Sequence, residues 1–204
     1  MKKIPTLFKR LYCEDGTIIL TQEVTPGMEW VLSRKKKENG TATVKWDGSA
    51  CAIIEGEYYK RYDAKKGKKP PKGAIPCQPE PDPVTGHWPH WVKVDPSDPA
   101  NKWHMEALRN STFDGQLPLP DGTYEAIGKH FQGNPYGSMI DWLVRHGIDE
   151  VKVKRTYAGI HDFLRDHEIE GLVFWKDGEP QCKIKRTDFG FEWPVKSDVK
   201  EKPQ

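Results

Sequence analysis

Residues 41–48 read Thr41-Ala42-Thr43-Val44-Lys45-Trp46-Asp47-Gly48. This run predicts a strand over residues 41–46, and Gly48 permits a sharp turn after it. Because side chains two apart in a strand share a face, Lys45 and Asp47 are expected on the same side. A lysine held at a strand end beside a pocket is a candidate amine nucleophile. An exposed lysine before an ordinary turn gives the same short pattern, so the motif needs support from the rest of the chain.

Other short β-rich runs follow between glycines and prolines. They lie at 50–55, 57–62, 123–128, 151–156, 171–175 and 182–186, and helices are predicted at 99–109, 138–146 and 158–167. Residues 70–99 carry nine prolines but also Trp88 and Trp91, which indicate an ordered excursion. These runs predict one α+β domain over 1–196, dominated by antiparallel sheet, and a polar tail over 197–204.

The composition is that of a globular protein, with 36% hydrophobic and 30% charged residues among 204. No apolar run approaches the roughly 20 residues that span a bilayer, and the N-terminus lacks a signal-peptide core. The four cysteines form no Cys-x-x-Cys pair and indicate free thiols. We therefore expect a cytoplasmic protein in a reducing compartment, with no membrane partner.

A hairpin is predicted near the C-terminal end, because Asp177-Gly178 is a strong turn between two strand runs. A two-residue loop sets Glu170 opposite Lys185, and Lys183 then lies on the same face. The hairpin presents one carboxylate and two amines to one cleft. Pro180 can shift this register. The alternative interpretation is a cross-strand salt bridge on a solvated face.

In order and type, five short segments resemble motifs I, Ia, III, IV and V of the covalent nucleotidyltransferases, which are DNA ligases, RNA ligases and RNA capping enzymes. They contain Lys45, Arg61, Glu125, Glu170 and the pair Lys183 and Lys185. The resemblance runs from Thr41 to Arg186, most of the chain. Residues 4–10, 85–89, 124–128 and 134–136 are also similar to one compact branch, the ATP-dependent RNA ligase 1 family.

That resemblance implies a nucleotidyltransferase fold, with antiparallel sheets flanking an ATP cleft, and a lysyl-AMP mechanism. Lys45 is the implied nucleophile toward the α-phosphorus of ATP. Lys183 and Lys185 neutralise phosphate charge, and Glu170 holds Mg²⁺ or Mn²⁺. Asp47 either orients Lys45 or contacts metal-bound water.

Substrate contacts are implied as well. Glu125 is the implied contact to a ribose hydroxyl, and Arg61 to ribose and the 5′-phosphate end. Val44 is expected beside the bound ATP. An aromatic side chain should stack on adenine, and the candidates Phe131, Tyr136, Trp142 and Tyr157 can equally be core residues.

The expected partners are ATP and RNA with 5′-phosphate and 3′-hydroxyl ends. Only 18 residues follow Arg186, so we expect no OB-fold to clamp duplex DNA. Basic runs at 65–69 and 152–155 offer surfaces for a polyanion, or are solvated loops. Two alternatives remain: a DNA-nick ligase of the same superfamily, and a non-catalytic nucleotide- or nucleic-acid-binding module.

Overall fold

The computed structural model describes residues 1–35, 37–112 and 119–195. The chain forms two compact units: a first unit of Met1–Ile4 and Trp46–Ile148, and a second unit of Pro5–Lys45 and Asp149–Gln204. The described residues have a mixed α+β structure with mostly antiparallel sheets, in agreement with the predicted class. The predicted tail 197–204 lies outside the described residues.

The regular elements among these residues follow in chain order. The strands are β1 (Phe8–Tyr12), β2 (Ile18–Val24), β3 (Thr41–Lys45), β4 (Ser49–Ile54), β5 (Glu57–Ala64), β6 (Ile75–Pro76), β7 (Trp88–Lys93), β8 (Gly122–Ile127), β9 (Trp142–Arg145), β10 (Gly171–Lys176) and β11 (Glu179–Lys185), and the helices are α1 (Lys102–Asn110) and α2 (Tyr157–Asp166). Neither of these two helices is long and apolar enough to cross a membrane.

The second unit is built on a three-stranded antiparallel sheet in the order β11-β10-β3, beside the β1-β2 hairpin. Alternate residues of the three strands, such as Ala42, Leu172 and Ile184, are buried in one core. Helix α2 adds Ile160 and Leu164 to that core, and Thr156 caps its first turn by accepting a hydrogen bond from Gly159 N. The opposite face of the sheet carries Lys45 of β3 and Lys183 and Lys185 of β11.

The first unit is built on a six-stranded antiparallel sheet in the order β6-β7-β5-β4-β8-β9. One face carries a core that includes Cys51, Ile53, Tyr58 and Tyr124, and α1 packs against it through Ala107. The predicted excursion 70–99 is ordered, because it contributes β6 and β7 to this sheet. The opposite face of β8 carries Glu125.

Most predicted elements are confirmed to within a few residues, including the helices at 99–109 and 158–167. The predicted helix 138–146 is wrong, since Trp142–Arg145 pairs with β8 instead. Of its apolar residues, Met139 and Ile140 are exposed, whereas Leu143 is buried in the core of the first unit. The predicted strand 151–156 is also wrong: Glu150, just before this segment, forms an isolated bridge with Thr43 of β3, and the segment itself leads into α2.

Candidate active site

Lys45 and Lys185 flank one glycine on the polar face of the second unit's sheet. Lys45, the last residue of β3, pairs with Gly171 of β10, and Lys185 of β11 pairs with Gly171 from the other side. Neighbouring strands lie about 4.8 Å apart, so the two lysine backbones are separated by about 10 Å across the sheet. Glycine is needed between them, because a Cβ on Gly171 would lie 2.2 Å from the Ile184 carbonyl oxygen.

Glu170 joins the two lysines through a carboxylate that is almost fully buried. Its Oε2 forms an ion pair with Nζ of Lys45, and its Oε1 lies 2.5 Å from Nζ of Lys185. The Glu170 side chain is only 4% exposed, whereas those of Lys45 and Lys185 are 21% and 34% exposed. The carboxylate therefore sits beneath two ammonium groups that remain accessible to an anion.

Lys183 extends this cationic face by one step along β11. It pairs with Val173, two residues beyond Gly171, so its side chain shares the face of Lys45 and Lys185. Burial lowers the pKa of Lys183 from its ordinary 10.5 to about 8, and the nearby charges of Lys45 and Lys185 act in the same direction. Lys183 is thus a partly buried cation beside two other cations, which favours the approach of an anion.

The register of the β10-β11 hairpin differs by one residue from the predicted one. Lys176 pairs with Glu179 as expected, but an irregularity between Phe174 and Trp175 shifts the pairing, so Lys185 faces Gly171 and not Glu170. Pro180 sits at the shift and has no N–H to give to the ladder. Glu170 nevertheless forms an ion pair with Lys185, one of the two lysines that the prediction grouped with it, and Lys183 lies on the same face of β11 as Lys185.

Two arginines, Arg10 and Arg186, make contacts with the segments that carry Lys185 and Glu170. Arg10 of β1 forms an ion pair with Asp188, and the same carboxylate accepts a 2.8 Å hydrogen bond from Lys185 N. Arg186 is buried and donates to the carbonyl of His167 at the end of α2. Its backbone N donates to the Glu170 carbonyl at 2.8 Å, which ties the segment holding the carboxylate to the end of β11. Sequence patterns pointed to neither contact.

Arg61 and Glu125 lie on the same face of the first unit's sheet, on either side of Ala50. Ala50 of β4 pairs with Glu125 of β8, and the β4-β5 register puts Arg61 at the next position after the Cys51–Lys60 pair. The two side chains therefore flank Ala50, about 9–10 Å apart in backbone position. The guanidinium of Arg61 donates to Asp63 Oδ1 at 3.0 Å and to the Met1 carbonyl at 3.3 Å. Their predicted roles toward substrate stay predictions.

Asp47 and Val44 are less simply placed than the strand pattern suggested. Strand β3 ends at Lys45, so the alternation that grouped Lys45 with Asp47 does not extend that far. Asp47 N donates a 2.6 Å hydrogen bond to the Tyr136 hydroxyl. Val44 alternates with Lys45 and pairs with Leu172, so it lies on the face of β3 that carries Ala42. Both assignments remain predictions.

The aromatic candidates for stacking on adenine separate into two groups. Phe131 is buried in the first unit's core, and Tyr157 packs edge-on against Phe8 with ring centroids 4.9 Å apart. Tyr136 contacts Trp46 at 5.0 Å between centroids, and Trp142 is partly exposed on β9. Of the four candidates, only Phe131 is buried; Tyr136, Trp142 and Tyr157 are partly exposed.

Trp88 and Trp91 pack within the first unit. Trp91 is 6% exposed, and the indole N–H of Trp88 donates to the Gln78 carbonyl at 2.8 Å. Packing of the excursion, the alternative to base stacking, therefore accounts for both side chains.

Glu170 alone is the predicted metal-binding residue. Within 1–35, 37–112 and 119–195, no group of three or more His, Cys, Asp or Glu side chains is arranged to hold a metal ion. Mg²⁺ commonly binds through one or two carboxylates and takes its other ligands from water and substrate phosphates. One carboxylate beneath a cationic, anion-binding face fits that mode of binding.

Comparison with known proteins finds curated relatives but no matching family model. The chain is 30% identical to "RNA ligase 1" of Danio rerio, over 54% of this chain and 43% of the relative. It is 30% identical to "RNA ligase 1" of Mus musculus over 58% and 45%, and 26% identical to that of Pongo abelii over 57% and 45%. The matches span less than half the length of these relatives.

The lowered pKa of Lys183 predicts a pH-dependent effect on stability. Below about pH 8 the folded state holds a charged, partly buried lysine, so Lys183→Met should raise the free energy of unfolding there. Between about 8 and 10.5 the folded protein loses this proton while the unfolded chain keeps it, so wild-type stability gains and the advantage of the variant shrinks. Urea unfolding at about pH 7 and about pH 9.5 measures both.

Lys152→Met is the control, because Lys152 is an exposed lysine of the same unit. It should change stability little at either pH. An advantage of Lys183→Met that is equal at both pH values would contradict a strained charge at Lys183.

Proposed function

Because similarity to four curated RNA ligase 1 proteins supports an RNA ligase family assignment for this chain, we propose that it is an ATP-dependent enzyme that joins RNA ends through a lysyl-AMP intermediate on Lys45. The observation that carries the proposal is the buried Glu170 carboxylate, which holds Lys45 and Lys185 beside Lys183 on one polar sheet face. A nucleophilic amine and two more cations on one face suit attack on a phosphate.

In the first step, the Lys45 ammonium group releases one proton to solvent, its Nζ attacks the α-phosphorus of ATP, and a second proton leaves to solvent as the P–N bond forms. The new P–N bond gives a phosphoramidate, and the P–O bond to pyrophosphate breaks with its electron pair on the leaving group. Lys183 and Lys185 offset the charge that develops on the phosphate oxygens. Lys183 suits this role because a phosphate anion beside it favours its charged form.

The two later steps are also transfers at phosphorus. The adenylyl group passes from Lys45 to the 5′-phosphate of RNA, and a 3′-hydroxyl then attacks that activated phosphate and releases AMP. Positioning and charge neutralisation do most of the work in such transfers. Arg61 is our candidate contact to the 5′-phosphate end and Glu125 to a ribose hydroxyl.

A divalent ion, Mg²⁺ or Mn²⁺, would supply further charge neutralisation on the phosphates when bound. Glu170 is the residue that would hold it, directly or through water. Glu170 would then contact the metal in place of one of its two lysine partners. Asp47 remains our candidate for orienting the lysine or contacting metal-bound water.

The first prediction of this proposal concerns the nucleophile. Lys45→Ala should remove all covalent labelling by α-labelled ATP, because no other residue replaces the attacking amine. Lys45→Arg should not restore labelling, because a guanidinium stays protonated at working pH. Lys152→Ala, an exposed lysine of the same unit, should label as wild type does. Undiminished labelling of a folded Lys45→Ala protein would refute the assignment.

The second prediction concerns the groups around Lys45. Glu170→Ala, Lys183→Ala and Lys185→Ala should each slow adenylation by roughly 10²–10³, the usual effect of removing one preorganised charge contact. Lys176→Ala, an exposed lysine on the same hairpin, is the matched control and should keep the wild-type rate. Single-turnover rates with Mg²⁺ measure the effect. If all three variants react at the wild-type rate, the proposed cationic face takes no part in the reaction.

The third prediction concerns the acceptor. With matched sequences and a 5′-phosphate on each substrate, the protein should seal single-stranded RNA or an RNA nick faster than an all-DNA nick. Gel separation of sealed and unsealed strands gives the rates. Equal or faster sealing of the DNA nick would favour the DNA-nick ligase while leaving the Lys45 chemistry intact.

A further inference from the structure

His146 is hydrogen-bonded at both ring nitrogens, and one of its partners is Glu125. Its Nε2 lies 2.9 Å from Oε2 of Glu125, and its Nδ1 lies 3.0 Å from Oγ1 of Thr123. Its backbone N donates to the Thr123 carbonyl at 3.0 Å, which continues the β8-β9 pairing by one residue beyond Arg145. The side chains of His146 and Glu125 are 13% and 12% exposed, so water competes little for these bonds.

The chemistry of the partners fixes where the imidazole proton lies. An ionised carboxylate only accepts, so Nε2 carries the hydrogen and donates it to Glu125. In the neutral ring, Nδ1 accepts from the Thr123 hydroxyl, whereas in the charged ring Nδ1 donates to the same oxygen. Both states keep the bond to Glu125. Thr123 therefore acts as an anchor that holds the ring in the orientation Glu125 requires.

Only one oxygen of Glu125 is committed to His146. Of the residues that the structure describes, none donates a hydrogen bond to Oε1, while Oε2 receives Nε2–H. Glu125 pairs with Ala50 of β4, and the small side chain of Ala50 leaves room above the sheet beside Glu125. A carboxylate that is fixed through one oxygen presents the other in a single direction, which suits a hydroxyl donor.

We propose that His146 is a positioning residue for Glu125, and that it sets the selectivity of the protein for nucleotides that carry a ribose hydroxyl. This inference rests on the proposed function, in which Glu125 contacts a ribose hydroxyl of ATP. Without Nε2–H, the carboxylate can rotate and satisfy itself with water or a neighbouring donor. The hydroxyl of the ligand then gains no more from Glu125 than from solvent.

A purely structural role for the His146–Glu125 pair makes a different prediction. As a link between β8 and β9, the pair would change stability when broken, but it would weaken ATP and its deoxy analogues equally. The ratio of affinities for ATP and a deoxy analogue isolates the positioning role, because stability cancels from it.

Two substitutions of His146 separate the two ring nitrogens. The amide nitrogen of His146→Gln reaches the position of Nε2 and can still donate to Glu125. The amide of His146→Asn reaches only the position of Nδ1, beside Thr123. Both variants keep a polar side chain at position 146. Circular dichroism and thermal melting check that each remains folded. His161→Leu, on α2 in the second unit, is the control, because it lies far along the chain from Glu125 and its side chain is 36% exposed.

Affinities for ATP, 2′-deoxy-ATP and 3′-deoxy-ATP are measured by calorimetry without divalent metal, so that no turnover is needed. Wild type, His161→Leu and His146→Gln should prefer ATP over at least one analogue by roughly tenfold, the usual effect of losing one bond to a charged group. His146→Asn and Glu125→Ala should bring that ratio close to one. A folded His146→Asn protein with wild-type selectivity, or a wild type that binds all three equally, would overturn the inference.

These affinities, taken together with AMP labelling of Lys45, distinguish this inference from the proposed function. Loss of selectivity in His146→Asn together with AMP labelling on Lys45 supports both. Labelling with unchanged selectivity overturns only the role of His146. Loss of selectivity in His146→Asn without any labelling of the wild type would overturn the lysyl-AMP mechanism while the part played by His146 stands.

Discussion

The ion pairs of Glu170 with Lys45 and Lys185 are the interaction on which the candidate site depends. A carboxylate that is 4% exposed loses most of its hydration, and two ammonium groups compensate it. This arrangement requires Gly171 between the strands, because any side chain there would collide with the Ile184 carbonyl. Lys183 lies beside these two lysines on the same face, and burial lowers its pKa to about 8, with the charges of Lys45 and Lys185 acting in the same direction. The charged form of Lys183 is therefore disfavoured in this site, and an anionic ligand beside it would favour that form.

Much of this site could be predicted from the sequence, because its determinants are local. The Asp177-Gly178 turn fixes a hairpin, and period-two alternation then groups Lys183 with Lys185. The exact register could not be predicted, since it depends on how Pro180 is accommodated opposite Trp175. The helix predicted over 138–146 failed for a related reason: pairing of Trp142–Arg145 with β8 is a tertiary interaction that outweighs a helical pattern of apolar residues.

The first unit shows the same division between local and long-range information. Arg61 and Glu125 were found by motif, but their common face with Ala50 follows only from the order of strands in the six-stranded sheet. His146 is the last residue of the predicted helix 138–146, and the sequence alone therefore gives no reason to expect it beside Glu125. Once β9 is a strand beside β8, His146 falls next to Glu125. A histidine one strand away from a motif carboxylate is a signal that appears only when strand pairing is known.

The central claim is that Lys45 forms a covalent bond to AMP, and mass spectrometry tests it most directly. The purified protein is incubated with ATP and Mg²⁺, its intact mass is recorded, and the modified peptide is sequenced by fragmentation. We predict a gain of one adenylyl group, located on Lys45 and labile to acid as a phosphoramidate is. An unchanged mass under conditions where the protein is folded and binds ATP, or an adenylyl group on another residue, would contradict the account.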